Sequence, residues 1–364
     1  MRITFLISSV SGGGAEAVCV NIANGLSERG WNVELLVLNN LDNSYSERLS
    51  KRVSLIDLKA KRARYAAPAL VWYILKNKPE KIVVFKYELI DLIVMLKIFF
   101  RLKLKVIGRN ISVFGKKKEE KVGIRQKIIK KLFGEPIERV DCIINQSYEM
   151  QEDLLKHLPT LKDRSVVIHN PVSAHIEAYK KSPQPIKTVE TVPYVLCVGR
   201  LEEVKAFHHA INAFAIVAKK YQNLRLKFVN DGSLKLKLLA QARELGLEGR
   251  VDFEGFQTDV IPFYENAGLT LLTSNYEGFP NVLIESIVLG TPVVSFDCES
   301  GPREILDYGR YGKLVEPGNV EELARAIEDV LTNPNQFELV ERAGFFSQDK
   351  AIDKYISVLE KRYS

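Results

Sequence analysis

Short apolar, mostly β-branched runs recur along the chain, separated by stretches long enough to hold a helix. The first series lies at residues 3–10, 33–38, 53–58, 81–85, 105–108, 141–145 and 166–169. These runs lack the polar alternation of a half-exposed strand, so they predict a parallel sheet with helices on both faces. The rhythm stops at 182–193, where three prolines fall without periodicity and predict an interdomain linker. A second series follows at 194–198, 225–229, 251–253, 269–273, 292–296 and 313–315. The expected fold is α/β, with two Rossmann-like, doubly wound domains facing each other across a cleft and ligands bound beyond the carboxyl ends of the strands. The first domain is expected over 1–182 and the second over 183–346. Residues 347–364 are expected to form a helix, with Tyr355, Ile356 and Leu359 as its apolar stripe, packing back towards the first domain.

The length of 364 residues suits two domains, and 46% hydrophobic with 27% charged residues is the composition of a globular protein. No apolar run approaches the roughly eighteen residues of a membrane span. The nearest, 89–100, carries Asp91 and Lys97. The opening residues pass from a strand into a glycine loop without a small-residue cleavage site, so they read as a first strand and the protein as cytosolic. Cys19, Cys142, Cys197 and Cys298 are too widely spaced for a zinc motif or a disulfide framework and read as reduced thiols in or near the core. The net charge of +7 is local in origin. Between 97 and 131 there are thirteen Lys or Arg against two Glu, so the rest of the chain is net negative.

Candidate chemistry gathers at strand ends. The run at 269–273 leads to a polar turn and then to 277–285, Glu-Gly-Phe-Pro-Asn-Val-Leu-Ile-Glu, whose apolar continuation predicts a buried helix stopped by Gly290. Backbone N–H groups of Gly278, Phe279, Pro280, Asn281 and Val282, proline excepted, would then open outward beside Glu277, with Glu285 further along. A helix start attracts phosphate and a carboxylate accepts sugar or ribose hydroxyls; alternatively both glutamates only cap or solvate the helix. After the first strand, Ser11-Gly12-Gly13-Gly14-Ala15-Glu16 allows close backbone approach to a ligand, or makes only a tight turn. Its spacing is that of neither the dinucleotide fingerprint nor a P-loop. Arg200 and Lys205 follow the first strand of the second series, where they could share a diphosphate or form surface ion pairs with Glu202 or Glu203. Strands at 225–229 and 251–253 each end in a glycine turn, the second just before Phe256.

In chain order, Gly-Gly-Ala-Glu at 13–16, His-Asn-Pro-Val at 169–172, Gly-Arg-Leu at 199–201 with Lys205, Phe-Glu-Gly at 253–255, the 277–285 segment, Gly-Thr-Pro-Val at 290–293, Ser-Gly-Pro-Arg-Glu-Ile at 300–305 and Gly-Lys-Leu-Val-Glu-Pro-Gly at 312–318 form a set. It resembles the retaining glycosyltransferases of family 4, of the bacterial surface-polysaccharide type, whose two-domain architecture is called GT-B. The resemblance implies that Arg200 and Lys205 hold the diphosphate of a UDP-sugar donor, Glu285 the ribose and Glu277 with the following backbone the donor sugar. Backbone near Phe256 would take the base, and the loop at Gly13 and Gly14 would approach the diphosphate from the other domain. It implies no metal and no catalytic cofactor beyond the donor itself. The chain departs from the pattern at 109–112, where Arg109-Asn110-Ile111-Ser112 stands in place of a common histidine, at Ala206 and Ser233, and at Asn230. His169 reads as hinge or core packing and Asn170 as a turn cap.

The segment 116–133 spaces Ile124, Ile128, Ile129, Leu132 and Phe133 among cations, as an interfacial helix on anionic lipid would, or a solvated helix on the first domain. No aromatic residues interleave the lysines, which argues against nucleic acid. Lys116, Lys117, Lys118, Arg125 and Arg109 are the candidate acceptor or membrane contacts. The expected partners are a nucleotide sugar, an anionic membrane surface at the inner face of the plasma membrane, and a lipid-linked glycan acceptor built on a polyprenyl diphosphate or a lipid A core. Competing readings are another GT-B enzyme, such as a nucleotide-sugar epimerase, and an inactive membrane- or nucleic-acid-binding scaffold.

Overall fold

A computed structural model describes residues 1–11, 13–39, 46–115, 134–182 and 193–361. The chain forms two compact units, one of Met1–Ser173 with Gln348–Ser364 and the other of Ala174–Ser347. The first unit is built on a sheet of β1 (Arg2–Ile7), β2 (Asn32–Val37), β3 (Ser54–Asp57), β4 (Lys81–Phe85), β5 (Lys105–Arg109), β6 (Cys142–Asn145) and β7 (Ser165–Val167). Their spatial order is β3-β2-β1-β4-β5-β6-β7 and every pair is parallel.

The uninterrupted apolar runs have a direct cause in this sheet. In β4, Ile82 and Val84 enter a core shared with the helices Ala67–Asn77 and Tyr87–Phe99. Val83 and Phe85 enter a second core, under the helices Gly14–Glu28 and Gln348–Glu360. Both faces of the strand are covered, so alternation along it has no solvent side to mark. The closing helix packs on Gly14–Glu28 so closely that a Cβ added at Gly25 would lie 2.7 Å from Ile352 Cδ1.

The second unit repeats the scheme with β8 (Tyr194–Val198), β9 (Arg225–Val229), β10 (Val251–Gly255), β11 (Leu269–Leu272), β12 (Val293–Phe296) and β13 (Lys313–Val315). Their order is β10-β9-β8-β11-β12-β13, again all parallel. The two orders correspond strand for strand until β7 extends the first sheet. In each, the direction of winding reverses once, between β1 and β4 and between β8 and β11, and such switch points are where doubly wound sheets hold ligands.

Two boundaries differ from expectation. The compact units divide between Ser173 and Ala174 and not at 182, because the helix Ala174–Lys181 packs against the helix Asn281–Leu289 of the second unit. The proline-rich stretch 183–192 lies outside the described residues. The first strand ends at Ile7 instead of continuing to Val10, and Ser8 turns its hydroxyl to Lys86 Nζ at 2.6 Å.

Candidate functional site

The switch point of the second unit brings two of the expected residues together. Past β8 the chain makes a short 3-10 turn, Glu203–Lys205, and past β11 it runs through Thr273 to Glu277. Lys205 Nζ lies 2.6 Å from Glu277 Oε1, and Ser274 Oγ donates to the same oxygen at 2.6 Å. With side chains only 19% and 14% exposed, the two charges are poorly screened by solvent, which strengthens their coupling. Bonds to backbone carbonyls hold the two strand ends in register: the Thr273 Oγ1 hydroxyl donates to Lys205 O at 2.9 Å, and Asn275 N to Val204 O at 2.9 Å. The stem of Lys205 also needs the missing side chain at Gly199, since a Cβ there would sit 3.2 Å from Lys205 Cε. Burial, with Glu277 adding its charge, pushes the nearby Cys298 thiol well up, so it stays protonated and unreactive.

The loop from Glu277 to the helix Asn281–Leu289 is fixed from below by the turn after β12. Glu277 N donates to Glu299 O at 3.1 Å, and Ser300 Oγ to Gly278 O at 2.8 Å. Gly301, at φ 98, lets this turn reach the loop: a Cβ would stand 2.6 Å from Pro280 Cδ and 3.1 Å from Phe279 Cα. Phe279 and Pro280 are buried, and Pro280 is the extended N-cap residue, so the helix begins one position later than Pro280 itself, at Asn281. The N-terminal end of the helix, and with it the positive end of its dipole, therefore adjoins the loop that carries Glu277 and Gly278. One turn on, Glu285 Oε2 accepts from Tyr264 Oη at 2.9 Å. Burial, then the Glu285 charge, pushes the Tyr264 hydroxyl well up, which keeps it a donor.

The remaining expected residues are placed differently. Arg200 is exposed beyond β8, without the ion pair foreseen for it among the described residues. Glu202 instead accepts from Ser233 Oγ at 2.8 Å and Ser233 N at 3.2 Å, bonds that hold its carboxyl below the usual range, and Glu203 faces Lys237 at 3.6 Å. This joins the β8 and β9 ends, where a Cβ on Gly232 would strike Leu201 backbone at 2.5 Å. Phe256 is 53% exposed just past β10, beside a bridge between Asn230 and Gly255.

In the first unit Gly13 is the N-cap and Gly14 the first residue of the helix Gly14–Glu28. Glu16 folds back over this start, its Oε2 lying 2.2 Å from where a Gly13 Cβ would be, and pairs with Lys86 at 2.7 Å. Arg109 does not face an acceptor or a membrane. At the end of β5 its side chain enters the core beneath the closing helix, is 1% exposed, and donates to Tyr355 Oη and to Asn170 Oδ1, the latter at 2.6 Å. Asn170 is thereby part of a buried network with Gln146, at 3.1 Å. Lys116, Lys117, Lys118 and Arg125 lie outside the described residues.

Sequence reasoning missed Ser274, Tyr264, Ser8 and Lys86, and quoted Glu16 in the glycine-loop motif without its pairing to Lys86. Ser274 closes an apolar run and could have been found from that position, whereas nothing near Tyr264 in sequence points to Glu285. Ser300 and Gly301 stood in the quoted motif set but without a role. Among the described residues no group of three His, Cys, Asp or Glu is placed to hold a metal ion, and no helix is long and apolar enough to cross a membrane.

Comparison with known proteins agrees with this layout. Residues 12–175 match the family model described as Glycosyltransferase Family 4, and 179–345 that described as Glycosyl transferases group 1. The chain is 35% identical over 183 residues to the lipopolysaccharide core biosynthesis glycosyltransferase LpsE of Rhizobium meliloti, covering 49% of this chain and 52% of that one. It is 28% identical over 351 residues to the lipopolysaccharide 1,6-galactosyltransferase of Salmonella typhimurium, covering 93% and 92%. The matches span about half the length of the first curated relatives. Anabaena HepE, solved in complex with UDP, shares the fold at a TM-score of 0.75 and 19% identity, over 99% of each chain. The chain belongs to the family 4 glycosyltransferases and has the GT-B fold.

Proposed function

We propose that the chain is a retaining, metal-independent transferase that moves a sugar from a UDP-sugar to a lipid-linked glycan during assembly of a bacterial surface polysaccharide. The observation that carries this reading is the Lys205 and Glu277 pair at the switch point, next to a helix start. Glu277 Oε1 is held by Lys205 and Ser274, while Oε2 has no partner among the described residues and remains an acceptor for a hydroxyl of the donor sugar. Lys205 spends one of its three N–H donors on Glu277, which leaves two for the diphosphate. Exposed Arg200 adds a bidentate fork, the first N–H groups of the Asn281–Leu289 helix face the leaving phosphate, and Glu285, oriented by Tyr264, takes the ribose hydroxyls. Phe256 supplies backbone for the base.

The acceptor oxygen attacks the anomeric carbon on the face that the diphosphate leaves, the carbon–phosphate oxygen bond breaks, and the acceptor proton passes to the departing phosphate. Cations and helix dipole stabilise the charge that develops there. Glu277 is not a nucleophile in this scheme, because its carboxylate is already committed to positioning. The names of the Rhizobium and Salmonella relatives support a lipopolysaccharide-type acceptor, and the UDP in the Anabaena structure supports the donor class. The basic segment 116–133 would seat the enzyme on anionic lipid at the inner membrane face.

The test is a thermal-shift screen of UDP-glucose, UDP-galactose and UDP-N-acetylhexosamines, followed by transfer assays and NMR of the product anomer. An α-linked product from a UDP-α-sugar is expected, and Glu277→Ala should reduce turnover by on the order of 10²–10³-fold with the fold intact. An inverted product, or undiminished turnover in Glu277→Ala, would overturn the mechanism.

A further inference from the structure

The switch point of the first unit carries an ion pair that the donor chemistry leaves unused. Lys86 directly follows β4, and its Nζ donates to Ser8 Oγ, just past β1, at 2.6 Å and to Glu16 Oε1 at 2.7 Å. Two of the three ammonium donors are thus taken, and the third has no partner among the described residues. The lysine side chain is 30% exposed and the glutamate 10%, so the cation is the member of the pair that a ligand can reach. Lys86 also has φ 76 and ψ 135, a backbone conformation that glycine adopts freely and side chains rarely do. Strain of this kind persists where the surrounding structure fixes a side chain for use.

We infer that Lys86 binds the second substrate, donating its third N–H to a hydroxyl of the glycan acceptor while Ser8 and Glu16 hold the ammonium in place. The inference rests on the proposed transferase reading, in which the switch point of the second unit is occupied by the donor. A transfer reaction needs a second substrate, and the corresponding position of the first sheet is the place where a doubly wound unit takes one. Charge decides between a hydroxyl and a phosphate as the ligand. Glu16 already neutralises Lys86 and its carboxylate covers the start of the Gly14–Glu28 helix, so the cluster offers a directed donor and no net positive charge.

Steady-state kinetics with UDP-galactose as donor and deacylated lipopolysaccharide core oligosaccharide as acceptor probe test this assignment. Lys86→Met should raise the KM for the oligosaccharide by on the order of tenfold to a hundredfold, the loss expected for one charge-assisted hydrogen bond. The ratio of transfer to hydrolysis of UDP-galactose should fall by a similar factor. Because that variant leaves Glu16 buried without its partner, Lys86→Met/Glu16→Gln is measured beside it and should show the same acceptor defect. Lys86→Gly/Glu16→Gln should melt no lower than that double variant, since glycine relieves the backbone. An unchanged oligosaccharide KM, an equal loss of hydrolysis and transfer, or a rise in the UDP-galactose KM alone would each overturn the inference. Failure of the unaltered chain to bind or hydrolyse any of the screened UDP-sugars would strike the proposed function instead, and where the screen selects another UDP-sugar that donor replaces UDP-galactose. Calorimetric titration of the oligosaccharide alone, against the unaltered chain and Lys86→Met, would still decide the role of Lys86.

Discussion

Glu277 shows how a carboxylate becomes specific through its neighbours. Ser274 and Lys205 converge on one of its oxygens, which orients the other. Ser274→Ala removes one of the two bonds without emptying the pocket. Turnover should fall roughly tenfold to a hundredfold, the equivalent of one hydrogen bond to a charged group, with little change in melting temperature. Stopped assays at saturating donor check this. Tyr264→Phe deprives Glu285 of its buried donor and should raise the donor KM by about tenfold while kcat changes less. Glu277, Glu285 and Lys205 were legible because their spacing around a strand end and a helix start follows from chain order. Tyr264 was not, because it reaches Glu285 from the neighbouring helix Ile261–Glu265, and that approach exists only after the sheet has formed.

Between elements, the decisive contact is the turn after β12 lying under the 277–280 loop. Gly301→Ala would bring a Cβ against Pro280 and Phe279 in a backbone conformation hostile to side chains, at a cost of about 1–3 kcal/mol, and would shift the loop that carries Glu277. Gly290→Ala is the control: it has φ 87 at a helix C-terminus but open space around it, so it should cost only about 1 kcal/mol and spare activity. Denaturant titrations of the two variants, with transfer assays, separate the clash from the backbone strain. The helix Asn281–Leu289 itself was readable from its apolar run, its glycine stop and the proline beyond. That its start would be clamped by residues 299–301 was hidden, since no local pattern records what a parallel neighbouring strand brings alongside.

For the whole molecule, the buried Arg109 joins sheet and closing helix within the first unit. Burial lowers its basicity, and Tyr355 Oη with Asn170 replaces the water it has lost. Tyr355→Phe should destabilise the unit by about 1.5–3 kcal/mol, read as a lower urea midpoint. Burial in turn pushes the Tyr355 hydroxyl up to about 12. Because this is above the value near 10 of an unfolded tyrosine, its contribution is complete below about pH 10 and is lost as pH rises towards 12. Urea midpoints across that range should fall less steeply in Tyr355→Phe. Membrane docking belongs to the same scale, and liposomes containing anionic lipid should recover the protein at low salt, with equal recovery by neutral liposomes counting against it.

The sequence by itself determined the two parallel α/β units and the succession of their strands and helices along the chain, because burial on both faces and the strand-to-helix turns are written locally. It also carried the motif set that names the family. Only the tertiary structure decided that Lys205 pairs with Glu277 and not with Glu202 or Glu203, since that choice depends on β8 and β11 becoming neighbours across a switch point. It likewise moved Arg109 from an expected surface contact into the core, and set Lys86 against Glu16 across 70 residues of chain. A charged residue reads the same in sequence whether it faces water or a buried partner, and the packing of distant elements makes that distinction.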